Sequence, residues 1–193
     1  MRVWTLVLVA LVVVTGAHAS PIDVAASANG GVAAQSSTLG WGIWAYAWRA
    51  NDGNTDGNYN DGSVSSTNDD YHAWWDVTFN NDYLISEIDV FNRTDCCQSR
   101  LDPFSVFLYD DAGDVVWESL DNHVDVSIQE ISFPVPDIIG RSVMVQLDDT
   151  NYLNIAEVEA WGEAPVVPEP ATFGLFSMAL AGFALGRRFS FQR

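Results

Sequence analysis

The feature that most constrains the fold is a series of short stretches in which apolar and polar residues alternate between turn-forming residues. Trp75, Val77 and Phe79, for example, fall on one face of an extended segment, because successive side chains of a strand point to opposite sides. Residues 23–162 show no clear helical period. The predicted strands cover residues 72–79, 84–92, 104–108, 115–117, 124–135, 141–147 and 153–161.

These stretches predict an all-β domain. About six to eight antiparallel strands, with turns roughly every dozen residues, are typical of an antiparallel β-sandwich or jelly roll. The chain has 193 residues, and its two ends have the character of targeting segments. The body, residues 20–163, is large enough for one hydrophobic core and too small for two domains.

The N-terminal segment has the three parts of a secretory signal peptide. Arg2 is followed by a nearly continuous apolar run from 3 to 14, and then by Ala17-His18-Ala19, which is an A-x-A cleavage site. A membrane anchor is the alternative, but the run is short for one. Residues 1–19 are therefore predicted to be removed, and the exported chain is predicted to begin near Ser20 in an oxidising compartment.

The C-terminal segment, residues 164–193, combines prolines, an uncharged stretch and arginines. Pro168 and Pro170 precede residues 171–186, which carry no charge and end at Arg187-Arg188. As a helix this stretch would be about 24 Å long, shorter than a hydrocarbon core of about 30 Å. It predicts a short transmembrane helix whose positive end remains on the cytoplasmic side.

The order of these parts resembles the PEP-CTERM sorting signal of Gram-negative bacteria. The resemblance implies transient anchoring in the inner membrane and processing by an exosortase near residues 167–170. It also implies release to the cell surface or an extracellular matrix rich in exopolysaccharide. A simple C-terminal membrane anchor is the alternative.

Charge limits the possible partners. The net charge is −18, and the chain contains no lysine. Within the body, four arginines stand against 25 carboxylates, so nucleic acid is not an expected partner because phosphate binding needs clustered cations. The excess of carboxylates indicates solubility outside the cell, and a bound divalent cation would offset part of it.

The segment 48–67 is a long loop rich in Asn, Asp and Gly. These residues form tight turns, and their oxygens are also the ligands that calcium takes. The spacing does not match an EF-hand, so the sequence leaves a plain turn cluster and a calcium loop open.

The segment NRTDCCQSRL, residues 92–101, concentrates the chemistry of the body. Arg93 and Arg100 flank Asp95 and the adjacent pair Cys96 and Cys97, which are the only cysteines of the chain. A guanidinium group presents several N–H donors in one plane, so two of them can bind neighbouring hydroxyls of a sugar ring. In an exported protein the cysteines are expected to form a disulfide with each other; two buried thiols are the alternative.

Together these motifs resemble the F-type lectins, a fucolectin-like branch of the discoidin or coagulation-factor type C superfamily with a galactose-binding-like fold. The resemblance covers about residues 23–162. It rests on five motifs in the same order: Gln35-Ser36-Ser37, Asp52-Gly53-Asn54 to Gly62-Ser63, Trp74-Trp75, Arg93 to Arg100, and Ala156 to Glu159.

The resemblance implies a lectin with a structural calcium ion and no catalysis. Arg93 and Arg100 would donate to sugar hydroxyls, Asp95 would orient them, and the Cys96–Cys97 disulfide would contact the apolar side of a fucose-like sugar. Side chains of Asp52, Ser63 and Glu157 and backbone carbonyls of Arg49, Asn54 and Ala156 would bind calcium. The expected partner is an extracellular glycan or exopolysaccharide.

One position departs from the family pattern. Ser66 occupies the place of a histidine that also binds the sugar, and a hydroxyl reaches less far than an imidazole, so we expect weaker or broader recognition. His72, close in sequence, is the other side chain considered for this role. The alternative function is a non-catalytic adhesion or structural module of the matrix, with the same fold and a degenerate sugar pocket.

Overall fold

The computed structural model describes residues 20–40 and 45–165. The signal peptide predicted for residues 1–19 and the helix predicted for residues 171–186 lie outside these ranges. The described chain forms eight strands, and neighbouring strands pair antiparallel. They are β1 (Ile22–Asp23), β2 (Val32–Gln35), β3 (Ser65–Tyr71), β4 (Trp74–Asn92), β5 (Phe104–Tyr109), β6 (Val115–Asn122), β7 (Glu130–Leu147) and β8 (Thr150–Glu163).

Short 3₁₀ turns interrupt the connections between strands. They lie at Ser27–Asn29, Ala47–Ala50, Tyr59–Asp61 and Gln98–Leu101. Among the described residues, no helix is long and apolar enough to cross a membrane.

Two long strands, β4 and β7, connect the two layers of the fold. Trp74 to Thr78 of β4 pair with the second half of β7, whereas Glu87 to Phe91 pair with the first half of β7 and with β8. Strands β2, β5 and β6 extend the first layer, and β1 and β3 pair with β8 in the second. The register shifts between Thr78 and Tyr83, where β4 passes from one layer to the other.

The core lies between these layers. Trp75, Val77, Val106 and Val143 from one layer pack with residues such as Val158 from the other, and all five are fully buried. Removing this apolar surface from water is the main contribution to folding, at about 25 cal/mol per Å². The all-β sandwich and the galactose-binding-like fold expected from the sequence are thus confirmed.

The strand predictions differ from the structure in four places. The predicted strands at 72–79 and 84–92 are parts of one strand, β4, and those at 124–135 and 141–147 both contribute to another, β7. Residues 124–129 form a loop because Asp125 accepts hydrogen bonds from the backbone N–H and the hydroxyl of Ser127, and its carbonyl accepts from the N–H of Ile128. The strands β1, β2 and β3 were not anticipated, since Ser65–Tyr71 is polar and resembles a loop in sequence.

Three connections meet at one end of the molecule: residues 45–64, residues 93–103 and residues 123–129. The N–H of Thr94 donates to the carbonyl of Gly57 at 2.8 Å, and the N–H of Asn92 donates to the carbonyl of Gln129 at 2.7 Å. A Cβ at Gly57 would lie 2.7 Å from a methyl carbon of Thr94 and 2.8 Å from the carbonyl oxygen of Asn92. Glycine is therefore required for these two loops to approach so closely.

Candidate functional site

Arg93 forms the best-defined ion pair of the described residues. Its Nε donates to Oδ1 of Asp95 at 2.7 Å and its Nη2 donates to Oδ2 at 2.8 Å. The side chains are only 10% and 18% exposed, so the two parallel bonds hold the guanidinium in one orientation. These hydrogen bonds lower the pKa of Asp95 to about 2.

Tyr59 fixes this pair from the neighbouring loop. The Arg93 guanidinium carbon lies 4.4 Å from the centre of the Tyr59 ring, and the N–H of Tyr59 donates to Oδ1 of Asp95 at 3.1 Å. The loop at 45–64 therefore contacts both the arginine and the carboxylate that orients it. This arrangement leaves Arg93 anchored before any ligand arrives, which reduces the entropy lost on binding.

Arg100 stacks on a different aromatic ring. Its guanidinium carbon lies 4.5 Å from the centre of the Tyr152 ring, at the start of β8. The N–H of Arg100 donates to the carbonyl of Cys97 at 3.0 Å, which begins the short 3₁₀ turn Gln98–Leu101. Each arginine of the segment 93–100 is thus supported by a tyrosine from another part of the fold.

The cysteines between the two arginines form the expected bond. Cys96 and Cys97 are joined in a disulfide, with Cα atoms 3.8 Å apart, and neither is free. Both residues are half-buried, so part of the pair reaches the surface between the two arginines of this segment. The backbone of Cys97 has φ 63°, a left-handed conformation that is uncommon outside glycine, and the 3₁₀ turn that carries Arg100 follows it directly.

Ser66 is not at the surface with this group. It is fully buried in β3, opposite Asn154 of β8, and its hydroxyl donates to the carbonyl of Thr67 at 3.2 Å. Asn154 is also buried, and neither polar atom of its side chain has a hydrogen-bond partner. His72 packs edge-on against Tyr71, with ring centres 3.9 Å apart.

A second group of polar residues surrounds Glu157. This residue of β8 is fully buried, and its Oε1 accepts a hydrogen bond from the N–H of Gly53 at 2.9 Å. Its Oε2 is buried and has no hydrogen-bond partner. Burial, with a smaller contribution from the nearby Asp52 carboxylate, raises the pKa of Glu157 to about 8. A cation at this position would compensate both the burial and the repulsion.

The other residues predicted to bind calcium lie in the same loop and strand. Asp52 and Asn54 are exposed, and Asn54 donates its N–H to Oδ1 of Asp52 at 3.0 Å. Ser63 is fully buried, and its hydroxyl donates to the carbonyls of Asp56 and Asn58. Within residues 20–40 and 45–165, no group of three or more His, Cys, Asp or Glu side chains could hold a metal; the predicted set relies on two carboxylates and on backbone carbonyls.

Sequence reasoning missed the residues that support the charged groups. Tyr59 and Tyr152 lie far from Arg93 and Arg100 in the sequence, and only the pairing of strands and loops brings them together. No local pattern distinguishes them from other tyrosines. The side-chain amide of Asn154 has no hydrogen-bond partner. Its position opposite Ser66 depends on the register of β3 and β8, which the sequence alone does not give.

The fold and the polar loops define a galactose-binding-like β-sandwich with its candidate site residues at one end. Residues 49–145 match the model of the NedA-like galactose-binding domain, of the F5/F8 type C group. Residues 166–188 match the PEP-CTERM protein-sorting motif. The chain belongs to the NedA-like galactose-binding family and carries a PEP-CTERM motif, and its curated relatives include fucolectins.

Two relatives and one solved structure illustrate the similarity. Fucolectin-4 of Anguilla japonica is 31% identical over 63% of this chain and 70% of its own. Fucolectin-6 of the same species is 30% identical over 62% of this chain, and the match spans 64% of that relative's length. A Streptococcus pneumoniae fucose binding module is 30% identical, with a TM-score of 0.67 over 74% of this chain and 96% of its own.

Proposed function

We propose that this protein is an exported lectin that binds a fucose-like sugar through Arg93 and Arg100. The observation that carries the proposal is that both arginines are held in place, Arg93 by Asp95 and Tyr59 and Arg100 by Tyr152. A fixed guanidinium can donate two N–H groups to adjacent hydroxyls without losing much side-chain entropy. The names of the fucolectins and of the fucose binding module support the same class of sugar.

The disulfide gives the proposed site its second kind of surface. A deoxy sugar has a methyl group as well as hydroxyls, and the half-buried Cys96–Cys97 bridge between the arginines offers apolar contact to that group. Asp95 is already engaged by two bonds from Arg93. We therefore assign Asp95 an orienting role and assign direct contact to the arginines and the disulfide.

A glycan panel tests the proposal. The exported chain should bind glycans that carry terminal fucose and should ignore matched glycans that lack it. Arg100→Ala should remove this binding, whereas Arg141→Ala, which changes an arginine near Asp82 outside the site, should leave it intact. Binding that survives Arg100→Ala, or that does not depend on fucose, would contradict the assignment.

We also propose that calcium stabilises the fold through the loop at 49–63 and β8. Asp52, Ser63 and Glu157 would supply side-chain oxygens, and Arg49, Asn54 and Ala156 would supply backbone carbonyls. The buried, unpartnered Oε2 of Glu157 supports this set, since an oxygen without a donor fits a cation that accepts its lone pairs. Bound calcium would supply positive charge to two carboxylates and would connect the loop to the sheet.

An adhesion or structural module is the second candidate function. It is favoured by the burial of Ser66, whose hydroxyl bonds to the backbone of Thr67 and leaves the site without a third polar group at that position. In that case the same surface would contact a protein or polymer of the matrix. Absence of any sugar response in the glycan panel, together with binding to isolated matrix material, would favour this reading.

The sorting motif at 166–188 supports a route for the protein. We propose that the chain is exported, is held transiently in the inner membrane by its C-terminal segment and is processed by an exosortase. It would then reach the cell surface or the matrix, where glycans or exopolysaccharide are its partners. Export from a strain without the exosortase, followed by fractionation, tests this: the chain should then remain in the membrane fraction.

A further inference from the structure

The outer face of the second layer carries a group of carboxylates on its strands. Val90 of β4 and Val158 of β8 belong to the core, so the residues next to them in each strand point away from it. Arg93, Arg141 and His123 pair with carboxylates elsewhere, at Asp95, Asp82 and Asp102. The acidic patch consists of Asp23 of β1, Glu87 and Asp89 of β4, Glu130 of β7 and Glu159 of β8.

Asp89 is the buried member of the acidic patch, at 5% exposure. Its Oδ2 accepts a hydrogen bond from Nε1 of Trp161 at 2.9 Å. Its Oδ1 is buried and finds no hydrogen-bond partner within the described residues. A carboxylate oxygen that has left water without gaining a donor costs free energy. This position therefore gains from a ligand that brings a donor and a positive charge together.

Two further carboxylates add to the negative charge around Asp89. Glu159 is half-buried and lies directly opposite Asp89 in the pairing of β4 with β8. The Cβ atoms of such a pair are about 4.5–5.5 Å apart, and like charges at this spacing repel each other. Burial and, to a smaller extent, the nearby Asp89 raise the pKa of Asp23. One cation between these side chains relieves the repulsion for all of them.

The surroundings favour an ammonium group over a metal ion. Within the part of the chain that the structure describes, no three acidic, His or Cys side chains form a group that could hold a metal. The half-buried Trp161 adjoins Asp89 through its indole N–H, and an aromatic face attracts ammonium groups. An ammonium group also has three N–H donors for carboxylate oxygens. The chain contains no lysine, so this group has to come from another molecule.

We propose that the acidic patch is a second binding site, which takes a primary ammonium group between Asp89 and Glu159 and against the ring of Trp161. Polyamines and amino sugars without an N-acetyl group both carry such a group. The site does not depend on the proposed lectin function, because its residues lie on paired strands and outside segment 92–101. The protein thus has one site for a neutral sugar and another for a cationic molecule.

NMR titration of the exported chain tests the site through the indole N–H resonance of Trp161. The probes are a glucosamine tetramer, its fully N-acetylated counterpart and spermidine, with calcium present so that Glu157 and Asp52 do not compete. At least one amine should shift this resonance in a saturable way, and the acetylated tetramer should not. A shift with the glucosamine tetramer alone assigns the site to amino sugars, a shift with spermidine alone assigns it to polyamines, and a shift with both assigns it to the ammonium group itself.

Four variants separate this site from general attraction to an acidic protein. Glu159→Gln and Asp89→Asn should each weaken binding of the amine about fivefold. Glu118→Gln removes the same charge at an exposed position of β6 and should keep the affinity, as should Arg100→Ala in the proposed sugar site. Equal losses in Glu159→Gln and Glu118→Gln would overturn the proposal, and so would a Trp161 resonance that ignores both amines. Either result leaves the lectin function standing.

Discussion

Two carboxylates at the same end of the molecule are in opposite electrostatic situations. Asp95 accepts two hydrogen bonds from Arg93, and its pKa is lowered to about 2. Glu157 is fully buried with one oxygen unpartnered, and its pKa is raised to about 8. Among residues 20–40 and 45–165, Arg93 pairs with the first carboxylate, whereas the second accepts its hydrogen bond from the backbone N–H of Gly53.

This difference separates a carboxylate that an arginine balances from one whose charge the proposed calcium ion would balance. The charges of Arg93 and Asp95 balance each other, which suits the neutral ligand proposed for this site. Glu157 is withdrawn from water with one oxygen unpartnered, and the nearby, exposed Asp52 adds repulsion, so ionising Glu157 is costly. A change that supplies or removes positive charge should therefore affect the two carboxylates very differently.

The largest expected effect is on the calcium response. Binding to the folded state alone adds about 2.7 kcal/mol at a hundredfold excess of calcium over Kd. Glu157→Ala should abolish the rise in Tm that calcium causes in the wild type, measured by calorimetry with and without chelator. Glu159→Gln, two residues along the same strand, is the control and should keep the rise. A wild-type Tm that ignores both calcium and chelator would refute the calcium proposal.

Loss of the ion pair is the next effect in size. Arg93→Ala removes a guanidinium that can donate to the sugar, and a hydrogen bond to a charged group contributes about 1.5–3 kcal/mol, equivalent to roughly a ten- to 150-fold loss of affinity. Titration with L-fucose by NMR measures it. The calcium-dependent rise in Tm should persist in this variant, because Arg93 donates to Asp95 and Glu157 accepts from Gly53; its disappearance would show that the two sites are coupled.

The dependence of stability on pH should have opposite directions at the two carboxylates. Because folding raises the pKa of Glu157 to about 8 from 4.5, the folded state binds its proton more tightly, and the stability gained at low pH is lost as pH rises through about 8. In the presence of a calcium chelator, the protein should therefore have a Tm a few degrees lower at pH 9 than at pH 6.

Saturating calcium should remove that decline. In chelator, the variant Glu157→Gln should have the same Tm at pH 6 and pH 9. The pH dependence of stability at Asp95 runs the other way. Its pKa lies below the unfolded value of 3.8, so Asp95 stabilises the fold above pH 3.8, and this stabilisation is lost as pH falls toward 2. A chelated wild type with the same Tm from pH 6 to pH 9 would contradict the assignment for Glu157.

The smallest expected effect concerns the ring beneath Arg100. A cation–π contact at a partly exposed position contributes about 0.5–1 kcal/mol, so Tyr152→Leu should weaken sugar binding by roughly two- to fivefold. Tyr152→Phe keeps the ring face and should bind like the wild type. If Tyr152→Phe lost as much affinity as Tyr152→Leu, the hydroxyl rather than the stacked ring would be the important group.

The sequence was informative where its signal is local. Alternating residues predicted most strands, and the segment 92–101 contained both arginines, the carboxylate and the disulfide within ten neighbouring positions. The support of those arginines could not be predicted, because Tyr59 and Tyr152 arrive from a distant loop and a distant strand.

Burial was the other property hidden from the sequence. Ser66 was predicted to lie beside the sugar because it occupies the place of the histidine in the family pattern. Its depth depends on pairing with Asn154 in β8 and on the contact of its N–H with the carbonyl of Ala45. Such long-range contacts determine whether a hydroxyl faces solvent or the interior, and a single sequence contains no direct record of them.

The pairing of β1 with β8 determines how the domain is presented to its surroundings. Ile22 lies opposite Gly162, so the body begins and ends side by side. Ile155, near Tyr152 and Glu157, is seven residues from Gly162 along β8, or about 23 Å at a rise of about 3.3 Å per residue. If residue 165 were tethered to a surface, the loops of the proposed site would face away from it, at about that distance from Gly162. Many copies side by side would then form an array whose avidity exceeds the affinity of one domain.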